Sequence, residues 1–180
     1  MTTLTLELPP HKTQMAFNLR RWAEILADPQ LVKIEGRIET DRHGHIIIMA
    51  PPAPPHGSFQ AEIARLLGNL VTKGRVLTEC PISTADGVKA ADVAWAPPER
   101  MKELGEEVCF SHAPEICVEV ISPGNTQAEI DEKRALYFDA GASEVWVCEA
   151  GGSTAFFMPG AIAQRSPICP QFPNQVTLRS

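Results

Sequence analysis

The chain of 180 residues lacks the features that mark three large classes of protein. No apolar run reaches the roughly 18 residues that cross a membrane. The N-terminal segment MTTLTLELPPHK has neither the basic start nor the long apolar core of a signal peptide. The five cysteines are odd in number and form no C-x-x-C pair, which argues against a disulfide framework or a zinc site. We therefore expect a cytoplasmic protein with reduced, mostly buried cysteines and no membrane association.

Positive charge is also scarce. The chain carries 22 acidic and 16 basic residues, a formal net charge of −6. Proteins that bind nucleic acids usually show a basic stripe, so this balance does not favour such binding, although divalent metal ions can supply positive charge locally. The sequence contains no G-x-S-x-G motif, no Walker-type loop and no dinucleotide fingerprint. Serine-hydrolase, NTPase and dehydrogenase functions therefore have no support.

The composition, with 44% hydrophobic and 21% charged residues, is that of a globular protein. Its length predicts one domain over residues 1–180. The predicted parts are an N-terminal helix and hairpin at 14–50, a core at 56–158 and a C-terminal tail at 159–180. From residue 58 the predicted order of elements is α-β-β-β-α-β. This order indicates an α/β fold in which a sheet of mixed direction lies between helices.

Several element boundaries are predicted from turn and breaker residues. Two long strands, 31–40 and 45–51, form the N-terminal hairpin. The four prolines between 51 and 55 predict an extended connector, followed by a helix over 58–72. Residues 97–113 are expected to be polar and irregular, with at most a short helical turn. The last six residues, QVTLRS, read as a short strand.

One glutamate lies where a charge is costly. EICVEVI, residues 115–121, predicts a strand, and both of its faces are largely apolar, as in a central strand covered on both sides. Glu119 lies within it. Carboxylates are almost never fully buried unless they are paired or bind a metal. Glu119 is therefore predicted to have a cationic partner.

The helix that follows this strand presents a lysine on its apolar face. Thr126 and Glu129 match a capping box, so the helix is predicted to begin near them, with Asn125 as a rival N-cap. Lys133 projects from the middle of the apolar face. It either snorkels along that face to water or meets a buried acid. The residues of that face are Ile130, Leu136, Tyr137 and Ala140.

A second acid is predicted on a neighbouring strand. In AADVAWA, Asp92 shares a face with Ala94 and Ala96, and these small side chains leave room for a ligand. If this strand lies beside 115–121, Asp92 and Glu119 can meet on one sheet face. Two close carboxylates repel unless a cation intervenes, and oxygen ligands of this kind suit Mg²⁺ or Mn²⁺. By spacing alone, chance and surface exposure explain most such pairs of acids.

Five segments together resemble the Uma-type, restriction-endonuclease-like family of the PD-(D/E)XK nuclease superfamily. The resemblance covers about residues 30–150 and implies the restriction-endonuclease-like αβββαβ core, here with an added N-terminal helix and hairpin. It implies metal-dependent hydrolysis of DNA by an endonuclease, with Mg²⁺ or Mn²⁺ as cofactor. The segments are IEGRIE with IIIMAPP, HGSFQAEIARLLGNL, DGVKAADVAWA, PEICVEVISPGNT and EKRALYFDAGASEVWVCE.

The resemblance assigns catalytic roles to three residues. Asp92 matches the first acid of the superfamily motif, and Glu119 matches the acid of its E-x-K element. Ile121 stands where the usual lysine would be. In this branch the lysine is expected on the following helix, where Lys133 fits.

Further site residues are expected, some from this resemblance and others from their positions on the predicted elements. Asp92 and Glu119 are expected to bind the metal with help from Glu62 on the second helix and from the backbone carbonyl of Val120.

His56, Gln127 and Tyr137 are expected to be auxiliary residues, each with a simple structural explanation as the alternative. Glu35 and Glu39 on the hairpin could approach the site, although solvated strand residues are the simpler interpretation.

Two functions remain open from the sequence. The first is a DNA endonuclease, expected to act as a homodimer because cutting both strands of a duplex favours two sites. The second is a catalytically inactive nuclease-fold protein that serves as an interaction or assembly module. In that case Lys133 and Glu119 would form a buried ion pair.

Overall fold

A computed structural model describes residues 11–178 of the chain. In this range the helices are α1 (His11–Ala27), α2 (Pro54–Leu70), α3 (Pro98–Leu104) and α4 (Gln127–Asp139), with a 3₁₀ turn at Leu31–Lys33. The strands are β1 (Arg37–Thr40), β2 (Ile46–Met49), β3 (Arg75–Thr84), β4 (Gly87–Ala96), β5 (Ile116–Val120), β6 (Glu144–Cys148), β7 (Thr154–Met158) and β8 (Ala161–Ala163). No helix of residues 11–178 is both long and apolar enough to cross a membrane.

The strands form a hairpin and a larger mixed sheet. β1 and β2 pair antiparallel, and the six-stranded sheet has the order β3-β4-β5-β6-β7-β8. β5 and β6 are parallel, and the other neighbours in this sheet are antiparallel. The predicted order α-β-β-β-α-β is confirmed as α2-β3-β4-β5-α4-β6, with the short helix α3 inserted before β5. The predicted fold class, a mixed sheet flanked by helices with an N-terminal helix and hairpin, is confirmed.

Alternate side chains of β5 enter two different apolar clusters. Ile116 and Val118 pack with Ile63 of α2, whereas Cys117 packs with Tyr137 of α4. Successive side chains of a strand point to opposite faces, so the sheet lies between these two helices. This arrangement explains why residues 115–121 carry apolar side chains on both faces.

The start of α2 corrects one predicted boundary. The helix begins at Pro54 rather than at residue 58, and it ends at Leu70 rather than at residue 72. Pro54 and Pro55 occupy the first turn, where a backbone N–H has no partner within the helix and the fixed φ of proline suits the helix. The extended connector is therefore shorter than predicted, since Pro51 and Pro52 precede the helix whereas Pro54 and Pro55 belong to it.

Other boundaries differ as well. The hairpin strands are short, because residues 31–33 form a 3₁₀ turn and pairing begins at Arg37. The expected polar excursion over 97–113 contains the seven-residue helix α3. The strand predicted at the C-terminus is wrong for 175–178, where Gln175 forms an isolated bridge with Ser153, and its last two residues lie outside the described range.

The hairpin docks on β4 through close backbone contact. A Cβ at Gly87 would lie 2.4 Å from the carbonyl oxygen of Thr40, and φ there is +85°, so glycine permits this approach. Two N–H groups of β4 donate to hairpin side chains: Val88 to Thr40 Oγ1 at 2.9 Å and Ala90 to Glu39 Oε1 at 3.1 Å. The hairpin thereby covers the part of β4 that has no partner in β5.

Candidate active site

A cleft opens where β4 and β5 separate. The two strands pair at three positions, and the ladder stops one residue before Asp92 would face Glu119. Both acids line a cleft of about 410 Å³, and Lys133 of α4 lines the same cleft. The structure therefore brings the three residues predicted as catalytic to one place. The paired positions are Val93–Val118, Ala94–Cys117 and Trp95–Ile116.

Asp92 is buried and accepts hydrogen bonds from two donors. Its Oδ2 accepts the backbone N–H of Val120 at 2.6 Å, and its Oδ1 accepts a hydrogen bond from Nη2 of Arg37. His56 Nε2 lies 3.4 Å from the same Oδ1. Burial by itself would raise the pKa of Asp92, but the nearby ring of His56, the charge of Arg37 and the Val120 N–H outweigh it. The pKa of Asp92 is therefore below its usual range, and the carboxylate is ionised.

Glu119 lies in a different electrostatic environment. Its Oε1 accepts the hydroxyl of Tyr137 at 2.7 Å, and its Oε2 lies 3.3 Å from Lys133 Nζ. Complete burial disfavours the charged form, and the charge of Asp92 adds to this effect. The charge of Lys133 only partly compensates, so the pKa of Glu119 is raised to about 7. Near neutral pH this group both releases and accepts a proton.

Lys133 is shared between two acids. Its Nζ lies 2.8 Å from Glu39 Oε1 and 3.3 Å from Glu119 Oε2, and the backbone oxygen of Ala90 is at 3.5 Å. Burial alone would lower the pKa of Lys133, but the charges of Glu119 and Glu39 outweigh it and raise the pKa. The lysine is therefore protonated. Of the two alternatives for this side chain, the structure shows contact with buried acids.

The helix α4 holds Lys133 in this position. The predicted capping box is confirmed: Thr126 is the N-cap, its Oγ1 accepts the N–H of Glu129, and Glu129 Oε2 accepts the N–H of Thr126. The box sets where the first turn begins, and therefore which side chains of α4 face the sheet. Ile130 and Tyr137 are buried on that face, and Lys133 lies between them in sequence.

Sequence reasoning missed Arg37, and of the two alternatives for Glu39 the structure shows the approach to the site. Arg37 lies on β1 and bonds both Asp92 and Glu79, and it donates to the carbonyl of Ala90 at 3.3 Å. Glu39 is buried against β4 and Lys133. The sequence did contain a signal for both residues, because the alternation along β1 puts Arg37 and Glu39 on one face. It did not show which element that face would meet.

His56 connects the cleft to the loop after β5. Its Nδ1 lies 2.8 Å from Ser122 Oγ, while its Nε2 faces Asp92. The side chain of His56 is 9% exposed, so these two contacts fix the ring. Ser122 is itself held by Asn125, whose Oδ1 accepts the Ser122 N–H at 2.8 Å. His56, at the start of α2, thus places a ring nitrogen 3.4 Å from Asp92.

Two predicted residues do not reach the cleft. Glu62 forms an ion pair with Arg65, with Oε1 2.6 Å from Nη2, and is absent from the described cleft wall. The predicted set of three carboxylate ligands is therefore not assembled, and residues 11–178 hold no group of three His, Cys, Asp or Glu side chains placed to bind a metal. Gln127 is exposed and donates to Asp131 along α4. Tyr137, by contrast, does contact Glu119.

The ligand chemistry of the cleft fits a divalent cation. Four carboxylates and two cations share this cluster, so two negative charges remain when all are ionised. Carboxylate oxygens are preferred ligands of Mg²⁺ and Mn²⁺. An ion on Asp92 Oδ1 requires Arg37 to move from that oxygen. The members of the cluster are Arg37, Glu39, Glu79, Asp92, Glu119 and Lys133.

The backbone of Val120 adds an oxygen on the same side. Ile121 donates its N–H to Cys148 of β6 at 2.8 Å. In a parallel strand the polar groups of alternate residues point to opposite neighbours, so those of Val120 point toward β4. Its N–H indeed meets Asp92. The carbonyl of Val120 therefore faces the gap between β4 and β5, as the predicted ligand must.

The pKa of Glu119 makes the stability of the protein depend on pH. The folded-state pKa of about 7 exceeds the unfolded value of about 4.3, so between these values only the folded chain holds the proton. The stabilisation is complete below about pH 4 and is lost as the pH rises through 7. Glu119→Gln cannot ionise and should lack this loss. We expect its free energy of unfolding, relative to wild type, to rise by about 3 kcal/mol from pH 5 to pH 8.

Urea denaturation at pH 5, 6, 7 and 8 measures this difference. Glu103→Gln is the matched control, since the side chain of Glu103 is 59% exposed. Its unfolding free energy should follow the wild type across the range. A Glu119→Gln curve parallel to the wild type would rule out the raised pKa.

The fold and the cleft define a class of protein, the restriction-endonuclease-like nuclease fold. A solved structure described as "a putative nuclease belonging to DUF820" from Anabaena variabilis is similar to this chain, with a TM-score of 0.65 and 18% sequence identity. The similarity covers 81% of this chain and 92% of that one. At this identity the comparison establishes the fold.

The family follows from the sequence itself. The family model described as "Uma2: Putative restriction endonuclease" matches residues 22–177. The chain therefore belongs to the Uma2 family, and this membership indicates a nuclease. No curated protein matches the chain.

Proposed function

We propose that the protein is a metal-dependent endonuclease that hydrolyses phosphodiester bonds of DNA. The observation that carries the proposal is the convergence of Asp92, Glu119 and Lys133 on one cleft in a member of a nuclease family. These residues come from β4, β5 and α4, so the fold alone brings them together. Their types match what phosphodiester hydrolysis needs: oxygen ligands for a cation and a fixed positive charge.

In this proposal Asp92, Glu119 and the carbonyl of Val120 would hold Mg²⁺ or Mn²⁺. When bound, the ion supplies a Lewis acid for the phosphate and a more acidic water. Lys133 acts as a cation rather than a base, because its raised pKa keeps it protonated. Its ammonium group orients the attacking water and offsets negative charge that develops on the phosphate. The pKa of Glu119 without the ion is about 7, so binding of the ion there would displace a proton near neutral pH.

The charge of the cleft supports dependence on a cation. Its lining contains six acidic and three basic side chains, so a phosphate approaching it alone would be repelled. A divalent ion reverses part of this charge at the point where the phosphate must bind.

We further propose a two-fold homodimer, because two sites are needed to cut both strands of a duplex.

Nicking of supercoiled plasmid tests the proposal. Wild-type protein with Mn²⁺ or Mg²⁺ should convert supercoiled DNA to the open circular form, and EDTA should stop the reaction. Glu119→Ala removes a ligand and should abolish nicking. Glu106→Ala, which changes an exposed glutamate away from the cleft, should keep the wild-type rate. Equal rates for wild type and Glu119→Ala would contradict the assignment.

One observation favours a second candidate, a non-catalytic interaction module. Asp92 is already paired with Arg37, and Glu119 with Lys133. Paired charges of this kind can serve structure alone. Calorimetric titration with Mn²⁺ separates the two functions. The nuclease should bind the ion and lose that binding in Asp92→Ala, whereas the module should take up no ion.

A further inference from the structure

Arg37 occupies the position that the proposed metal ion needs. Its Nη2 donates to Oδ1 of Asp92, one of the two oxygens of the predicted ligand. The other oxygen, Oδ2, is engaged by the Val120 N–H at 2.6 Å. The guanidinium is therefore the protein cation in direct contact with Asp92, and it approaches from the hairpin side of the cleft. The following inference rests on the proposed function.

We propose that Arg37 competes with the divalent ion for Asp92 and so sets the affinity of the site. When the ion is absent, the guanidinium neutralises the buried carboxylate. When the ion binds, Arg37 gives up Oδ1. The observed affinity is then lower than that of a free carboxylate, because the state competent for metal is only a fraction of the molecules.

Glu79 provides the position to which Arg37 withdraws. Its two carboxylate oxygens accept hydrogen bonds from Arg37, one from Nε at 2.6 Å and one from Nη2 at 3.0 Å. Gln60 donates to Glu79 Oε1 at 2.7 Å and to the carbonyl of Asp92 at 3.0 Å. Because Nη2 is shared by Glu79 and Asp92, a small rotation releases Asp92 while the bidentate pair with Glu79 remains. The guanidinium thus stays in the cleft without leaving its main partner.

The backbone of Glu79 has an unusual conformation beside this contact. Glu79 has φ of +50°, a conformation that side chains other than glycine rarely adopt. The β3–β4 register places it opposite Asp92, between the pairs Thr78–Val93 and Cys80–Ala91. The strained residue is therefore the one that holds Arg37 beside the ligand. Arg37, once released from Asp92, presents a free N–H group toward the cleft, where an anionic phosphate would bind.

A purely structural role for Arg37 makes a different prediction. If the arginine only clamps the hairpin to the sheet, removing it lowers stability and leaves the metal affinity unchanged or weaker. If it competes, removing it strengthens metal binding. The sign of the change in Mn²⁺ affinity therefore separates the two roles.

Isothermal titration of the full chain with Mn²⁺ measures this affinity for wild type, Arg37→Gln and Lys89→Gln. We expect Arg37→Gln to lower the dissociation constant by at least about tenfold, since a competing charge a few ångströms from the ion is removed. Lys89→Gln is the matched control. It removes a positive charge that lines the same cleft but bonds Asp86 and the carbonyl of Thr40. Its dissociation constant should change much less than that of Arg37→Gln, because Lys89 is paired with Asp86 and does not bond Asp92.

Arg37→Lys provides a second test variant in case Arg37→Gln does not fold. It keeps the charge, but an ammonium group cannot bridge Asp92 and both oxygens of Glu79. Its dissociation constant should lie between those of wild type and Arg37→Gln. A second readout is the Nε–Hε resonance of Arg37 in ¹⁵N NMR, which should shift as Mg²⁺ is added to the wild type.

The outcomes are distinct. Tighter binding by the arginine variants, or binding that appears only in them, supports the competition. Unchanged or weaker binding by folded variants, with a wild type that binds Mn²⁺ through Asp92, overturns the competition and leaves the proposed nuclease intact. No binding by any of the proteins overturns both.

Discussion

Replacement of Lys133 by methionine is expected to reduce plasmid nicking by about 100-fold or more. Removal of one preorganised charge from a transition state commonly costs a factor of 10²–10³. Methionine fills a similar volume, so the packing of α4 is kept. What is lost is the ammonium group between Glu39 and Glu119, at 2.8 Å and 3.3 Å from their oxygens. The rate is measured from the initial conversion of supercoiled plasmid with Mn²⁺ at pH 7.5.

The control for this variant is Lys73→Met, because Lys73 is exposed and lies outside the cleft. It should nick at the wild-type rate. Circular dichroism at the assay temperature must show that Lys133→Met is folded, since the change leaves two buried acids without their cation. A folded Lys133→Met with wild-type activity would remove the lysine from the mechanism.

Replacement of Asp92 by alanine should have the largest effect on stability. Breaking a buried ion pair by removal of one partner costs about 3–5 kcal/mol. Because Arg37 keeps Glu79 as a partner, we expect a loss near the lower end of this range. Asp92 is 1% exposed and Arg37 is 14% exposed in this pair. The change also leaves the Val120 N–H without its acceptor. Urea denaturation at pH 7 measures the loss, and Mn²⁺ binding should be lost with it.

Glu103→Ala provides the comparison for an exposed pair. Its carboxylate lies 2.6 Å from Arg100 Nη1, but its side chain is 59% exposed. Solvent screens such pairs, and the expected change is below about 1 kcal/mol. Asp92→Asn separates charge from shape, since the amide oxygen still accepts a hydrogen bond from Val120. A loss below about 1 kcal/mol in Asp92→Ala would mean that Arg37 does not depend on Asp92.

The element order was predictable because each element carries a local signal. The apolar residues of 115–121 predicted a central strand, and the capping box of Thr126 and Glu129 predicted where α4 starts. These two signals placed a carboxylate and a lysine in positions where charge is costly. That cost made Glu119 and Lys133 noticeable, and the structure brings them within 3.3 Å of each other.

The remaining cluster was not predictable because its contacts are distant along the chain. Arg37 meets Asp92 across 55 positions of sequence, and Glu39 meets Ala90 across 51. The docking depends on Gly87, whose open backbone admits the hairpin. Glu62 is different, because Arg65 lies three positions further along α2 and helical spacing makes such residues neighbours.

By itself, the sequence determined the αβββαβ core and the residue types available for chemistry, because hydrophobic periodicity and capping are local properties. Only the tertiary structure decided which charges meet. The separation of β4 from β5 opens a cleft lined by two acids, and the docked hairpin brings Arg37 and Glu39 to them. Ion pairs form between whichever side chains the packing places within a few ångströms, and no local pattern encodes that distance.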